Sequence, residues 1–301
     1  MRHIPVLLNE VLESLQLKSN DNVIDCTVGD GGHSEKILEA TAPNGQLLAI
    51  DADPESLLRA KQYLYSFANR VTFVRGNFSE LEKIVAENPI GEIKGILLDL
   101  GWSSPQFAER GRGFSFLTDE PLNMTYSGRE EITATEIVNT FDANELEQIF
   151  REYGEENLSK EIVSAIISYR QGEPIKQTGQ LTEIILATYR KKLKTDKEIP
   201  WIGGLHPATK IFQALRIAVN RELEVIEEVL PQAIKVLASG GRLAVITFHS
   251  LEDRIVKHYF KDLEQKNSAT IITKKPIVCG EEEYKANPRA RSAKLRVIQK
   301  N

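Results

Sequence analysis

Four short apolar runs, Val23-Ile24-Asp25-Cys26, Leu47-Leu48-Ala49-Ile50, Val71-Thr72-Phe73-Val74 and Gly95-Ile96-Leu97-Leu98, alternate with helical patterns through the first hundred residues. Strand and helix alternating at this spacing require a mostly parallel sheet, because parallel neighbours need a crossover long enough to hold a helix. The end of the chain returns to strands. Ser239-Gly240-Gly241 turns the backbone into Arg242–Phe248, a fifth buried strand, and Thr270–Thr273 and Leu295–Ile298 can form an antiparallel pair. Between these ends the apolar residues recur at helical spacing, as in Leu146, Ile149 and Phe150, then Ile162, Ala165, Ile166 and Tyr169, then Leu181, Ile184, Ile185 and Thr188. From Pro207 one continuous stripe (Ile211, Leu215, Val219, Leu223, Ile226, Leu230) predicts a long helix kinked or broken at Pro231. The economical reading is an α/β domain built from residues 1–107 and 216–301, interrupted by an all-helical insertion over 108–215. A chain of 301 residues is long enough to need this division.

Charge and composition narrow the function classes. With 38 Lys and Arg against 43 Asp and Glu the net charge is −5, which does not advertise nucleic-acid binding. The end of the chain differs: between Lys274 and Asn301 eight basic residues face three acidic ones, a local +5. A second basic cluster runs from Arg190 to Lys197. Taken alone, each such run reads as a solvated face. No apolar run approaches the ~18 residues of a membrane helix, and the N-terminus meets charge too early for a signal-peptide core, so a cytoplasmic protein without a membrane partner is expected. Cys26 and Cys279 are too few for a disulfide framework or a cysteine-rich zinc site, and no metal is expected.

The stretch Val23–His33, VIDCTVGDGGH, is a strand ending in an acid, then Gly29, Gly31 and Gly32, then a helix from Ser34 to Ala40. Glycines at such a turn let a ligand approach the backbone at the carboxyl edge of the sheet. The dinucleotide fingerprint G-x-G-x-x-G is absent. Asp25 and Asp30 beside the loop oppose a pyrophosphate and suit a cationic ligand, such as the sulfonium and ammonium of S-adenosylmethionine. Asp51, at the end of the second strand, is placed to accept two ribose hydroxyls, or else is a turn residue beside Asp53 and Pro54. Phe78 after the third strand either covers an adenine face or packs in the core.

Strand four ends in Asp99, followed by Leu100-Gly101-Trp102-Ser103-Ser104-Pro105-Gln106 and a Gly, Ser, Pro and Phe-rich loop reaching Met124. A loop this long is expected to be functional. Its Ser104-Pro105 loosely resembles the acid or Ser/Asn-Pro-Pro-aromatic signature of enzymes that methylate exocyclic amines. Such an amine is a poor nucleophile, since its lone pair is delocalised. It needs acceptors for its N–H protons and alignment with methyl and sulfur. Asp99, Ser104 and Pro105 are therefore the catalytic candidates, with a purely cofactor-holding or loop-capping Asp99 as the alternative.

Eight segments, HIPVLLNEVL, DCTVGDGGHS, AIDADP, LLDLGWSSPQ, RGFSF, HPATKIFQALRIAVNREL, GGRLAVITFHSLEDRIVK and NPRARSAKLR, resemble in order those of the MraW (RsmH) family. These are S-adenosylmethionine-dependent methyltransferases that modify N4 of a cytidine in bacterial small-subunit ribosomal RNA. The resemblance implies a class I (Rossmann-like) methyltransferase sheet with a helical insertion for substrate recognition. It also implies cofactor contacts at Gly31, Gly32, His33, Asp51, Phe78, Asp99 and Gln106, alongside Asp25 and Gly29 from the loop itself. Two departures stand out: Pro121-Leu122-Asn123-Met124-Thr125-Tyr126 where members commonly read PLDMRM, and Trp102 in place of a small apolar residue.

On this reading the target base leaves its stacked surroundings for a cleft. Trp102, Phe114 and Phe116 are candidates to stack on it, and Arg110, Arg112, Arg289 and Arg291 to hold phosphates. His249 and Arg254, after the fifth strand, touch the RNA or order the lip; a hydrogen-bonded structural histidine is the plainer reading. The expected partner is small-subunit ribosomal RNA within the assembled subunit, and the state of the protein, monomer or homodimer, stays open. Rival readings are a methyltransferase of proteins or small molecules, a NAD-dependent oxidoreductase and a non-enzymatic ribosome-assembly factor.

Overall fold

The computed structural model of the protein describes residues 5–100, 111–126, 132–195, 197, 199 and 205–301. Trp102, Ser104, Pro105, Gln106 and Arg110 lie outside the described residues, as does the side chain of Arg289. The chain divides into two compact units, Met1–Ser103 with Leu223–Asn301, and Ser104–Glu222.

In the first unit seven strands make one sheet: β1 (Asn22–Asp25), β2 (Leu47–Asp51), β3 (Val71–Arg75), β4 (Ile93–Asp99), β5 (Leu237–Thr247), β6 (Ala269–Ile271) and β7 (Lys294–Lys300). Their order is β3-β2-β1-β4-β5-β7-β6, parallel from β3 to β5. The expected antiparallel pair forms between β6 and β7, and β7 also runs antiparallel to β5. Because successive side chains point to opposite faces, each apolar run serves two cores. Ile24, Leu48, Ile50, Ile96, Leu98, Leu243 and Val245 join one buried cluster. Val23, Leu47, Ala49, Leu97, Ala244 and Ile246 join the other. The order reverses between β1 and β4, which opens a crevice at the carboxyl ends of these strands.

The second unit packs five described helices, Ala134–Thr140, Ala143–Glu152, Ser159–Arg170, Thr178–Leu193 and Thr209–Asn220, on a core that includes Leu146, Phe150, Ile162, Leu181, Ile185 and Leu215. Capping boxes at Thr133/Glu136 and Asp142/Glu145 start the first two.

The stripe read as one long helix is two. Arg221 adopts the left-handed region at φ 50° and donates its N–H to the Ile217 carbonyl, closing Thr209–Asn220 before Glu222–Val236 begins. A one-residue break leaves apolar spacing almost intact, so periodicity could not show it. Pro231 sits inside the second helix without ending it, flanked by buried Val229, Leu230 and Ala233 that hold it across the lost hydrogen bond. The chain accordingly returns to the first unit at Leu223, and Ile211, Phe212, Leu215 and Val219 belong to the insertion's core. Among the described residues no helix is long and apolar enough to cross a membrane.

Candidate functional site

Carboxylates close β1, β2 and β4 at the carboxyl edge of the sheet: Asp25, Asp51 and Asp99. Asp25 is 1% exposed, and both its oxygens are taken, Oδ2 by the Ser34 hydroxyl at 2.6 Å and Oδ1 by the Thr27 N–H at 3.1 Å. It therefore shapes the glycine loop from beneath instead of presenting an acceptor to a ligand. Burial pushes its carboxyl up to about 6, against the pull of those two bonds.

Asp51 reaches back to the loop, where its Oδ2 accepts the Gly29 N–H at 2.9 Å while Oδ1 accepts the Asp53 N–H at 2.9 Å. A carboxylate has about four lone-pair sites, so acceptor capacity remains on the exposed side of this half-buried residue. Burial raises it too to about 6, opposed by the two backbone bonds and aided by the neighbouring charges of Asp53 and Asp25. Asp53 itself caps the helix Pro54–Tyr63, accepting from the N–H groups of Glu55 and Ser56.

Gly29 and Gly31 adopt φ of 53° and 84°, which L side chains rarely take. A Cβ on Gly31 would lie 3.2 Å from Leu64 Cγ, and one on Gly32 would lie 3.0 Å from Pro5 Cγ. The last two glycines thus serve close chain packing. Asp30, read as loop charge, is paired with Arg59 at 2.7 Å, so the field at the loop comes from Asp25 and Asp51.

His33, 6% exposed, sets Nε2 3.0 Å from the Val6 carbonyl, which only accepts, so Nε2 carries the proton. Its Nδ1 lies 3.8 Å from Asp99 Oδ2. The Asp99 N–H donates to Thr27 Oγ1 at 2.8 Å, tying the end of β4 to the loop after β1. Phe78, half-buried in a short 3-10 turn after β3, packs against the core beside Val74.

After β5, His249 places Nε2 3.2 Å from Glu252 Oε1, with the two side chains only 11% and 3% exposed. Glu252 Oε2 accepts the Phe248 N–H at 2.7 Å and the His249 N–H at 3.3 Å. Glu252 thereby closes the start of the helix Ser250–Gln265 through its backbone bonds, while neither buried ring nitrogen of His249 makes a hydrogen bond among the described residues. Arg254, on the first turns of that helix, is exposed.

Arg112, the expected stacking rings and several other basic residues are engaged within the protein. Arg112 donates from Nη1 to the Tyr126 carbonyl at 2.8 Å, pinning the Asn123–Tyr126 segment, and Phe114 packs against the Tyr126 ring at 5.9 Å. Phe116 stacks on His206 at 4.6 Å. Arg216 forms a two-point bond with Glu222, 2.8 Å and 3.0 Å, and the Tyr126 hydroxyl donates to the same carboxylate. In the C-terminal run Arg296 and Lys294 both reach Asp253, at 2.6 Å and 3.4 Å. Burial would raise that carboxyl, but the bond and charge of Arg296, with Lys294, hold it below its usual value. Lys300 donates to the Leu237 carbonyl at 2.6 Å. Lys274, Lys275, Lys285 and Arg291 remain exposed.

The motif reading missed Thr27, Ser34 and Glu252. Thr27 lies two positions past the strand-end acid, which was the available signal for it, whereas Ser34, nine positions from Asp25, carries no such local mark. Glu252 at the third helical position after His249 has the capping-box spacing. Nothing in the sequence marks Arg59 as the partner of Asp30.

The family model described as the MraW methylase family matches residues 1–301. The chain is 45% identical over 314 aligned residues to a protein of Heliobacterium modesticaldum named ribosomal RNA small subunit methyltransferase H, covering 99% of this chain and 98% of that one. Proteins of the same name from Heliobacterium mobile and Clostridioides difficile are 46% and 41% identical, each over 99% of this chain and 98% of theirs.

Proposed function

Because the chain belongs to the MraW methylase family, we propose that it transfers a methyl group from S-adenosylmethionine to the N4 amine of a cytidine in small-subunit ribosomal RNA. The observation that carries this reading is the row of carboxylates at the carboxyl ends of β1, β2 and β4, with Asp51 turned onto the glycine loop.

The acceptor set fits the cofactor. A pyrophosphate would meet Asp51 and the buried charge of Asp25, whereas a ribose needs acceptors and a sulfonium favours negative surroundings. When bound, S-adenosylmethionine supplies an electrophilic methyl group on a cationic sulfur. Asp51 accepts the ribose hydroxyls, Gly29 allows the backbone to approach, Gly31 and Gly32 keep the loop packed beside the cofactor, and Phe78 covers the adenine. Asp25 and Ser34 hold the loop from below.

Asp99 accepts an N–H hydrogen bond from the target amine, restoring density to a nitrogen whose lone pair is otherwise drawn into the ring. Thr27 fixes its backbone and His33 its flank. Ser104 and Pro105, which follow in sequence, are assigned to catalysis with Asp99, and Gln106 to cofactor binding. The helical insertion recognises the RNA; Trp102 is assigned to stacking on the base, Arg110, Arg289 and Arg291 to holding phosphates, and Arg254 to touching the RNA. Arg112 and Phe114 act indirectly, by holding the Asn123–Tyr126 segment. The substrate is the assembled small subunit in the cytoplasm.

The test is incubation with methyl-labelled S-adenosylmethionine and undermethylated small subunits, free ribosomal RNA or bulk protein, followed by nucleoside mass analysis. Label in N4-methylcytidine from subunits is the expected result. Label in protein, or none despite cofactor binding, refutes the acceptor.

A further inference from the structure

The insertion contains a cavity of about 520 Å³ whose walls the methyl-transfer site does not use. They come from the end of the helix Thr178–Leu193, the segment Glu156-Asn157-Leu158, and the His206-Pro207 stretch leading into Thr209–Asn220. Leu193 and Leu205 line it while 49% and 46% exposed. Large apolar side chains kept in water around a concavity are a mark of a binding surface.

The polar groups are arranged to leave positive charge at the cavity. Glu156 is 3% exposed; its two oxygens each accept from the Tyr189 hydroxyl at 3.0 Å, and Oε1 also accepts the Leu158 N–H at 2.8 Å. That acid is sealed, and it fixes the Tyr189 ring as a wall. His206 Nδ1 accepts the Ala208 N–H at 3.2 Å, so the proton sits on Nε2, and the ring is held by its stack on Phe116. Burial lowers the His206 pKa, favouring the neutral donor.

Two lysines stand at the cavity. Lys192 reaches Glu161 at 3.1 Å, but the side chains are 57% and 45% exposed, a pair that a stronger anion can displace. Lys210 donates to the Glu155 carbonyl at 2.8 Å, which leaves its charge uncompensated by that contact. Lys191 and Lys194 are exposed on the same helix end.

We infer that this cavity is a nucleotide subsite, taking one unstacked nucleotide of the ribosomal RNA other than the methylated cytidine. Its base lies against Leu193, Leu205 and Tyr189, and its phosphate on Lys192 and Lys210. An aliphatic and aromatic wall beside paired cations is what single-stranded RNA requires. The methylated base is excluded because its amine needs an acceptor carboxylate, and the one lining this cavity is closed by Tyr189. The inference rests on the reading of the chain as an rRNA methyltransferase.

The experiment compares full-length L193A/L205A and K192Q/K210Q with the parent, on small subunits, in steady-state methylation and in RNA binding against salt. Losing one base contact of this kind costs about tenfold in affinity. KM for subunits should therefore rise about tenfold in either variant, with kcat and cofactor affinity unchanged. The log–log salt slope should fall by about 0.7, the loss of one phosphate contact, in the lysine variant only. KM and slope equal to the parent's would overturn the inference, as would retained RNA affinity with loss of binding to a ribosomal protein. A parent that methylates no RNA fails at the preceding reading, which separates the two failures. The leucines are exposed, so that variant tests the subsite even where K192Q/K210Q melts early.

Discussion

Cofactor affinity should fall with acidity, and the size of the effect follows from Asp51. Its carboxyl, raised by burial from 3.8 to about 6, is about half protonated at pH 6 in the free protein. The ribose hydroxyls need the ionised form to accept both bonds. Binding therefore carries a factor of 1 + 10^(pKa − pH), which is near unity at pH 7 and about 11 at pH 5. The cofactor Kd should rise about tenfold between pH 7 and pH 5, with about one proton released on binding near pH 5. Below pH 7 the α-amino group of the ligand stays protonated, so it adds no slope of its own.

Asp25 shares the raised value but presents no acceptor, which is why one proton and not two is expected. The stability of the free protein runs the other way. An acid with a raised folded pKa binds more protons folded than unfolded between about 4 and 6. The charged forms thus cost stability that is regained as pH falls through 6, on the order of 3 kcal/mol for buried Asp25. Titration calorimetry in buffers of different ionisation enthalpy, with Tm followed from pH 7 down to about 4, reads both quantities. A flat Kd across that range, or a slope that persists in Asp51→Asn, would refute the argument.

Further perturbations separate structural from chemical roles. Thr27→Val removes the acceptor of the Asp99 N–H and should lower kcat about tenfold with Tm little changed, checked by single-turnover methylation. Gly31→Ala places a Cβ 3.2 Å from Leu64 at φ 84°, and should cost about 1 to 3 kcal/mol in urea unfolding and weaken cofactor binding. Arg216→Ala leaves Glu222, 9% exposed, without its two-point partner, and should destabilise the insertion by about 2 kcal/mol or more. By contrast Lys36→Ala, in a solvent-exposed pair, should leave Tm within error. Phe150→Ala, fully buried among the insertion helices, should cost about 3 to 5 kcal/mol by denaturant titration.

The sheet was legible because strand patterning is local: Val23–Cys26 and Leu47–Ile50 must each fill both faces of a covered sheet, and a run of apolar residues says so without reference to any partner. The carboxylates at strand ends were legible for a related reason, since the carboxyl edge of a parallel sheet lies at the end of each apolar run, inside the first and one residue past the second and fourth. Asp25, Asp51 and Asp99 all fall there. The break at Arg221 was not, because a single left-handed residue barely disturbs helical spacing.

What the tertiary structure alone decided is which charged groups are spent. Arg112 was expected on phosphate and Arg296 counted in the basic C-terminal run, yet one holds a backbone carbonyl and the other a buried carboxylate. Asp25 and Asp51 were both expected to touch the cofactor, yet only Asp51 keeps acceptor capacity toward solvent. Sequence order carries hydrophobic periodicity because burial acts on each residue along its own element. Pairing of charges acts between residues far apart in the chain, as between Asp253 and Arg296 or Asp30 and Arg59, and is settled only when the fold brings them within a few ångströms.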